Sequence, residues 1–480
     1  MLRPMRAGRR AAVIAATVLL CLVGPARSGS AQNGVEVPPP VDPGQRPSAA
    51  EATTFPYRAE GQVGPPAAAP CITSLPGQLA IEATPDPQQR LRIREAHEFA
   101  TGVGQTVAVI DSGVNPHPRL RGRLADGGDY IAGETGLSDC EGHGTVVAGI
   151  IAAAPDPSTG FVGVSPGARI LSIRQGSTFF EVEVADPGRP GRTKTMIAGD
   201  TRSMARAIVH AVELGATVIN ISEAACYPAS QVADGTIPDR DLQAAVHHAA
   251  ESDVVVVVAA ANTGGECEQN DGTVRTIVSP AWFDDDVLAV GATDASTGLA
   301  AAFSVRGSWV DVAAPGTGII SLDPTGRGLT STIADTEGNR FPIRGTSFAT
   351  PYVAGLAALI RERYPELTAR QVTERIEQTA QHPAGPPGPS QALGHGVMDP
   401  VAALTKQLPG EQAARPAPAP APPARLEDVR FPEQQDPMGR IVVLVGVGAG
   451  IGLLGLTLLT AHRVRRYRRR KLAGTYRVPR

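Results

Sequence analysis

The sequence predicts an α/β fold in which a mostly parallel central sheet is covered by helices on both faces, a three-layer arrangement. Three segments predict it. Thr106-Val107-Ala108-Val109-Ile110 is a β-branched apolar run closed by Asp111-Ser112-Gly113, and it reads as a buried strand. Met204, Ala207, Ile208, Ala211 and Val212 recur at helical spacing, Gly215 stops that helix, and residues 217–222 follow as a strand. The unit then repeats, with Leu242, Ala245, Val246 and Ala249 on a helix and residues 254–258 as a wholly apolar strand. Strands that are apolar on both faces and alternate with helices require a sheet covered on both sides. Ligands of such sheets gather at the carboxyl ends of the strands, which is where Asp111, Ser222-Glu223 and Asn262 fall.

The rest of the chain flanks this globular region, which spans residues 91–405. Residues 1–30 carry Arg3, Arg6, Arg9 and Arg10, then an apolar run, then Ser28-Gly29-Ser30. That is the layout of a secretory signal peptide, and the run is short for a membrane span, although an uncleaved anchor is the competing reading. Residues 31–90 are rich in Pro, Ala, Gln and Gly, as in Val37-Pro38-Pro39-Pro40, and read as an extended segment with no core of its own. Residues 406–439 are Pro/Ala-rich and read as a semi-rigid stalk, extending roughly 3 Å per residue. Within the expected span at 440–461, Ile441 to Ala461 is an apolar segment long enough to cross a bilayer, with Gly446, Gly448, Gly450, Gly452 and Gly455 offering a close-packing surface to another helix. The tail at 462–480 contains Arg463, Arg465, Arg466, Arg468, Arg469, Arg470 and Lys471, which the positive-inside rule assigns to the cytoplasm. The globular region is therefore expected on the extracytoplasmic, periplasmic side of the cell membrane, held by a single pass.

A formal net charge of -3 gives no reason to expect nucleic-acid binding. With Cys21 in the signal, Cys71, Cys140, Cys226 and Cys267 remain. Four cysteines in an exported chain imply two disulfides, with three pairings open. No C-x-x-C or H-x-x-x-H spacing supports a zinc site, no metal or other cofactor is expected, and structural calcium stays open because no ligand cluster is dense enough to name.

The chemistry is carried by four residues. A serine hydroxyl is a weak nucleophile that needs a base, an orienter for the base, and donors for an oxyanion. Ser347 stands in Gly345-Thr346-Ser347 ahead of a small-residue run that reads as a buried helix, so its hydroxyl sits among free N–H groups at the helix start. His143 is flanked by Gly142 and Gly144, Asp111 ends a buried strand, and Asn262 follows an apolar strand with its amide free to act as a neutral donor. Each alone has a commoner reading as a cap or a turn residue. Together, at one end of one sheet, they point to nucleophilic catalysis.

Val109-Ile110-Asp111-Ser112-Gly113, Gly142-His143-Gly144-Thr145-x-Val147-Ala148-Gly149 and Gly345-Thr346-Ser347-x-Ala349-x-Pro351 resemble the three signature segments of subtilisin-like serine proteases, in that family's order. Gly394-x-Gly396-x-x-Asp399 resembles that family's closing segment. The resemblance implies a subtilisin-like three-layer fold and an endopeptidase acting on protein or peptide substrates through an acyl-enzyme. It gives Ser347 the nucleophile's role, His143 that of base and then acid, Asp111 that of orienter, and Asn262 with the Ser347 N–H the oxyanion hole. Ala261 stands where the family usually has glycine, with only a small effect expected because the Asn262 donor remains. In that family the strand before Ser222 and Glu223 forms one wall of the substrate groove, so Glu223 either biases selection toward basic or small side chains or is a solvated loop acid.

The whole layout resembles the mycosins, membrane-anchored proteases of mycobacterial type VII secretion systems. That resemblance implies partners among the membrane components of such a system and the pairings Cys71–Cys140 and Cys226–Cys267. It also leaves a second reading, in which the chain is mainly a structural subunit of the secretion complex and proteolysis is dispensable. The Pro-rich extension looks unlike a folded inhibitory propeptide and is expected to wrap the body.

Overall fold

The computed structural model describes residues 37–411, apart from 60–61, 73–80, 187, 234–238, 327 and 383–387, together with residues 460–465. The expected signal, the stalk beyond residue 411 and nearly all of the expected span lie outside the described residues. Among the described residues no helix is long and apolar enough to cross a membrane. The chain divides into Met1–Ala413 and Ala414–Arg480. Of the second unit, only a short helical piece at 460–465 is described.

The first unit is built on seven parallel strands. They are β1 (Thr106–Asp111), β2 (Leu124–Asp129), β3 (Arg169–Arg174), β4 (Val218–Ile221), β5 (Val255–Ala259), β6 (Leu288–Thr293) and β7 (Val312–Pro315). Across the sheet they run β7-β6-β5-β4-β1-β3-β2, with every pairing parallel. After β1 the chain builds one edge through β2 and β3, then crosses to β4 on the other side. The direction of winding therefore reverses between β1 and β4, and a crevice opens at the carboxyl ends of strands at such a reversal.

Alternation along each strand decides which helices cover which face. The helices are α1 (His143–Ala152), α2 (Thr201–Glu213), α3 (Arg240–Glu251) and α4 (Thr346–Arg363). Val107, Val109, Val255 and Val257 share a core with α1 and α4, whereas Ala108, Ile110, Val256 and Val258 share one with α2 and α3. Helices α2 and α3 are the two predicted from periodicity, and the ends of α2 show why it starts and stops where it does. Asp200 caps it by accepting from Ser203 N, and Gly215, at φ 78°, ends it. Helix α4 is buried continuously from Thr346 to Arg361, which is why its sequence shows small apolar residues on every side and no polar face.

The N-terminal extension lies on this body. Tyr130 Oη donates to Ala52 O at 2.5 Å, Tyr57 N donates to Tyr130 O at 2.9 Å, and the Phe55 ring meets Tyr130 edge-on with centroids 4.7 Å apart. Its segment Gln62–Ala68 is a strand at the edge of a three-stranded antiparallel sheet, paired with Ser177–Ala185, which pairs in turn with Thr193–Ala198. Proline lacks the donor that an interior strand needs, so an edge is where a Pro-containing segment can join a sheet.

Disulfides Cys71–Cys140 and Cys226–Cys267 hold two further points. The first staples the extension just before His143, where Ile72 N also donates to Cys140 O at 3.1 Å. The second joins the strand Ala225–Pro228 to the loop that follows Asn262, across a sequence separation of 41. Closing a loop of that length in the unfolded chain is worth about 3–4 kcal/mol. Replacing Cys226 and Cys267 together by serine should cost that much in urea unfolding, and an unchanged midpoint would show that the crosslink leaves the native balance untouched.

Candidate active site

Asp111 is the last residue of β1 and has no exposure to solvent. Its Oδ1 accepts from the backbone N–H of Ser112 at 2.7 Å and bonds Nδ1 of His143, also at 2.7 Å. His143 opens α1, and the helix must come very close to the strand end to make that contact. A Cβ on Gly144 would lie 2.1 Å from Gly113 O, so only glycine permits the approach. The imidazole is 16% exposed. Its ring therefore has one edge in the protein and one available to the crevice.

The start of α1 is fixed by a residue that the sequence reading did not single out. Asp139 is buried, and its carboxylate accepts from Gly142 N at 2.7 Å, Thr145 N at 2.8 Å and Thr145 Oγ1 at 2.6 Å, and from Ser112 Oγ at 2.9 Å. Ser112 Oγ in turn accepts from Gly144 N at 3.0 Å. Asp139 thus ties the strand end to the helix start, with the orphan N–H groups of the first turn as its partners. Burial raises its pKa to about 6 against those hydrogen bonds. The signal for it was an aspartate placed just ahead of Gly142-His143, at capping distance from Thr145.

Ser347 lies at the start of α4 and is 8% exposed. The next residue, Phe348, packs its ring on that of His143 with centroids 4.8 Å apart, so the helix start sits against the imidazole. Among the described residues Ser347 Oγ makes no hydrogen bond to that ring; contacts of this kind in unliganded sites tighten when substrate arrives. Asn262 lies just past β5, and its Oδ1 accepts from Thr346 N at 2.9 Å and from Thr346 Oγ1 at 3.3 Å. With the oxygen so engaged, the Nδ2 donor faces Gly345. A Cβ there would fall 2.9 Å from Ser347 Oγ and 3.3 Å from Asn262 Nδ2, and Gly345 itself has φ 152°. The serine hydroxyl and the amide donor therefore flank one small space that only glycine leaves open.

Ala261 precedes the Asn262 donor. It stands at φ 69°, a left-handed conformation that costs a residue with a Cβ roughly 1–2 kcal/mol. A glycine would suit this position for the sake of its backbone, while the Asn262 side chain is unaffected.

Ser222 and Glu223 follow β4 and line a cavity with His143 and Glu141. The Ser222 hydroxyl is engaged with Asn220 Nδ2 at 2.9 Å. Burial works against a charged His143, but the Asp111 carboxylate outweighs it by charge and by hydrogen bond, helped by Glu141 and Glu223, and the imidazole pKa rises to about 10. Among the described residues no group of three or more His, Cys, Asp or Glu side chains is placed to hold a metal ion.

A parallel sheet that presents a histidine–carboxylate pair beside a helix-start serine and an oriented amide has the form of a subtilisin-like serine protease. The model of the Subtilase family, Peptidase_S8, matches residues 102–396. The chain is 45% identical over 397 residues to Mycosin-1 of Mycobacterium tuberculosis, covering 79% of this chain and 84% of that protein. It is 41% identical to a crystal structure of MycP1 from Mycobacterium smegmatis, with TM-score 0.67 and coverage of 82% of this chain and 99% of that one. A chain in the structure of an intact ESX-5 inner membrane complex is 36% identical, with TM-score 0.65 and coverage of 88% and 99%. The chain belongs to the subtilase family of serine proteases, in its mycosin branch.

Asp111→Asn removes the largest influence that raises the His143 pKa, so an NMR titration should show the imidazole pKa falling by at least about one unit. An unmoved titration would mean that Asp111 does not control the ring.

Proposed function

We propose that this chain is a membrane-anchored serine endopeptidase in which Ser347, His143 and Asp111 act as a triad and Asn262 completes the oxyanion hole. The observation that carries this reading is the 2.7 Å bond between Asp111 and His143 Nδ1, with the imidazole packed against the helix start that bears Ser347. In this mechanism Ser347 Oγ attacks the peptide carbonyl carbon and its proton passes to His143 Nε2. The carbonyl oxygen, now negative, accepts from Asn262 Nδ2 and from the Ser347 N–H at the positive end of α4. The imidazolium gives its proton to the leaving amine, and water repeats the sequence on the acyl-enzyme. Asp111 stays ionised and holds the tautomer with the Nε2 lone pair toward the serine.

The signal, stalk, single span and basic tail set the orientation: a catalytic region outside the cytoplasmic membrane, with its tail inside. A place in a type VII secretion system is supported by the relative found in an ESX-5 inner membrane complex. The same relative favours a second reading, in which the chain chiefly stabilises such a complex. Ser347→Ala at normal expression separates the two. Loss of secretion with the complex intact requires proteolysis, and unchanged secretion makes the structural role the main one.

Two variants test the chemistry. Ser347→Ala should abolish acyl-enzyme formation on a peptide substrate, while Asn262→Ala should lower kcat by about 10²–10³ with KM little changed. A protonated imidazole cannot accept the serine proton, and the His143 pKa is raised, so activity should be lost as pH falls, with the acid limb above the ordinary imidazole value. A wild-type Asn262→Ala rate, or a flat profile from neutral to about pH 4, would contradict this mechanism.

A further inference from the structure

Beside His143 lies a cavity of about 380 Å3 whose walls, among the described residues, carry acidic side chains and no lysine or arginine. Two carboxylates converge in it on one stretch of backbone. Glu141 accepts from Ser177 Oγ and from Thr178 N, each at 2.8 Å. Glu223 lies over the adjacent Gly176, where a Cβ would come within 2.9 Å of its Oε2. Glu223 makes no hydrogen bond or salt bridge among the described residues.

A third, independent group on the same wall also lacks a donor. Gln175 is 1% exposed, and its Nε2 donates to Asp200 O at 2.9 Å and to Ser203 Oγ at 2.8 Å. Those two acceptors fix which way the amide points. Its Oε1 is buried beside the cavity with no hydrogen-bond partner among the described residues. A buried acceptor without a donor is costly, and acceptors in excess call for a positively charged donor. Ile197 and Met204 supply apolar wall for the stem of a long side chain, with the charged head at the carboxylates.

We propose, on the basis of the protease reading, that this cavity is a substrate subsite that takes a lysine or arginine side chain close to the scissile bond, with Glu223 and Gln175 Oε1 as its recognition groups and Glu141 as a second charge. The charged neighbours have a further consequence. Asp111, Glu141 and His143 face Glu223, and Asp200 stands on the same wall. Burial, then the Asp111 and Glu141 charges, raise the Glu223 pKa to about 8, with His143 acting against them. A bound cation favours the ionised carboxyl, so the substrate's charge displaces a proton and the preference strengthens as pH rises.

The test uses the full chain with a mixture-based peptide library, followed by paired peptides differing only by lysine or norleucine at the selected position. Wild type should favour lysine by about tenfold or more in kcat/KM, the scale of a hydrogen bond to a charged group, with the ratio growing from about pH 6.5 to about pH 8.5. Glu223→Gln should reduce the ratio to about threefold or less and flatten its pH dependence, and Glu223→Asp should retain most of it. Cleavage with no basic preference at any position overturns the subsite alone, as does a preference unchanged in both Glu223→Gln and Glu141→Gln. Failure to cleave any peptide overturns the protease reading and the subsite with it.

Discussion

A carboxylate held without solvent at the end of β1 sets the terms for the rest of this site. Asp111 carries a charge that water cannot reach, and a buried charge is tolerated only when donors surround it. The Ser112 N–H and His143 Nδ1 supply donors to Oδ1 at 2.7 Å each, while the buried Oδ2 has no hydrogen-bond partner among the described residues. To bring His143 there, α1 must start against the strand end, which demands Gly144 in the contact and Asp139 as the tie. Strand, helix start and turn are thus one hydrogen-bonded unit. Losing any part of it would leave the Asp111 charge poorly compensated.

The reversal of winding between β1 and β4 does the complementary work. It leaves the carboxyl ends of β1, β4 and β5 side by side, so that Asp111, Glu223 and Asn262 arrive at one edge without long loops. Helix α4 then enters the same crevice N-terminus first. Its buried length anchors Ser347 to the core, so the position of its hydroxyl is set by packing rather than by a mobile loop.

Much of this was legible in the sequence, for a physical reason in each case. Continuous apolar runs identified β1, β4 and β5 because a sheet covered on both faces admits no polar alternation. The glycines beside His143 and Ser347 were visible because close backbone approach tolerates no other residue. What stayed hidden is non-local. Asp139 reads as one more turn aspartate until the fold brings Ser112 to it. Gln175 and Glu141 join Glu223 only because the chain after β3 turns back past the end of β4. The φ of Ala261 and the edge position of a Pro-rich strand likewise belong to the tertiary structure, which overrides local preference at those points.

The first disulfide staples the extension just before His143 and the acidic cavity lies beside that ring, but one claim carries the rest: that Ser347 is made nucleophilic by His143. The most direct measurement is treatment of the purified chain with diisopropyl fluorophosphate, followed by intact-mass and peptide-level mass spectrometry. A single adduct on Ser347 that is absent when His143 is replaced by alanine is the predicted result. No adduct, or equal labelling without the imidazole, would contradict it.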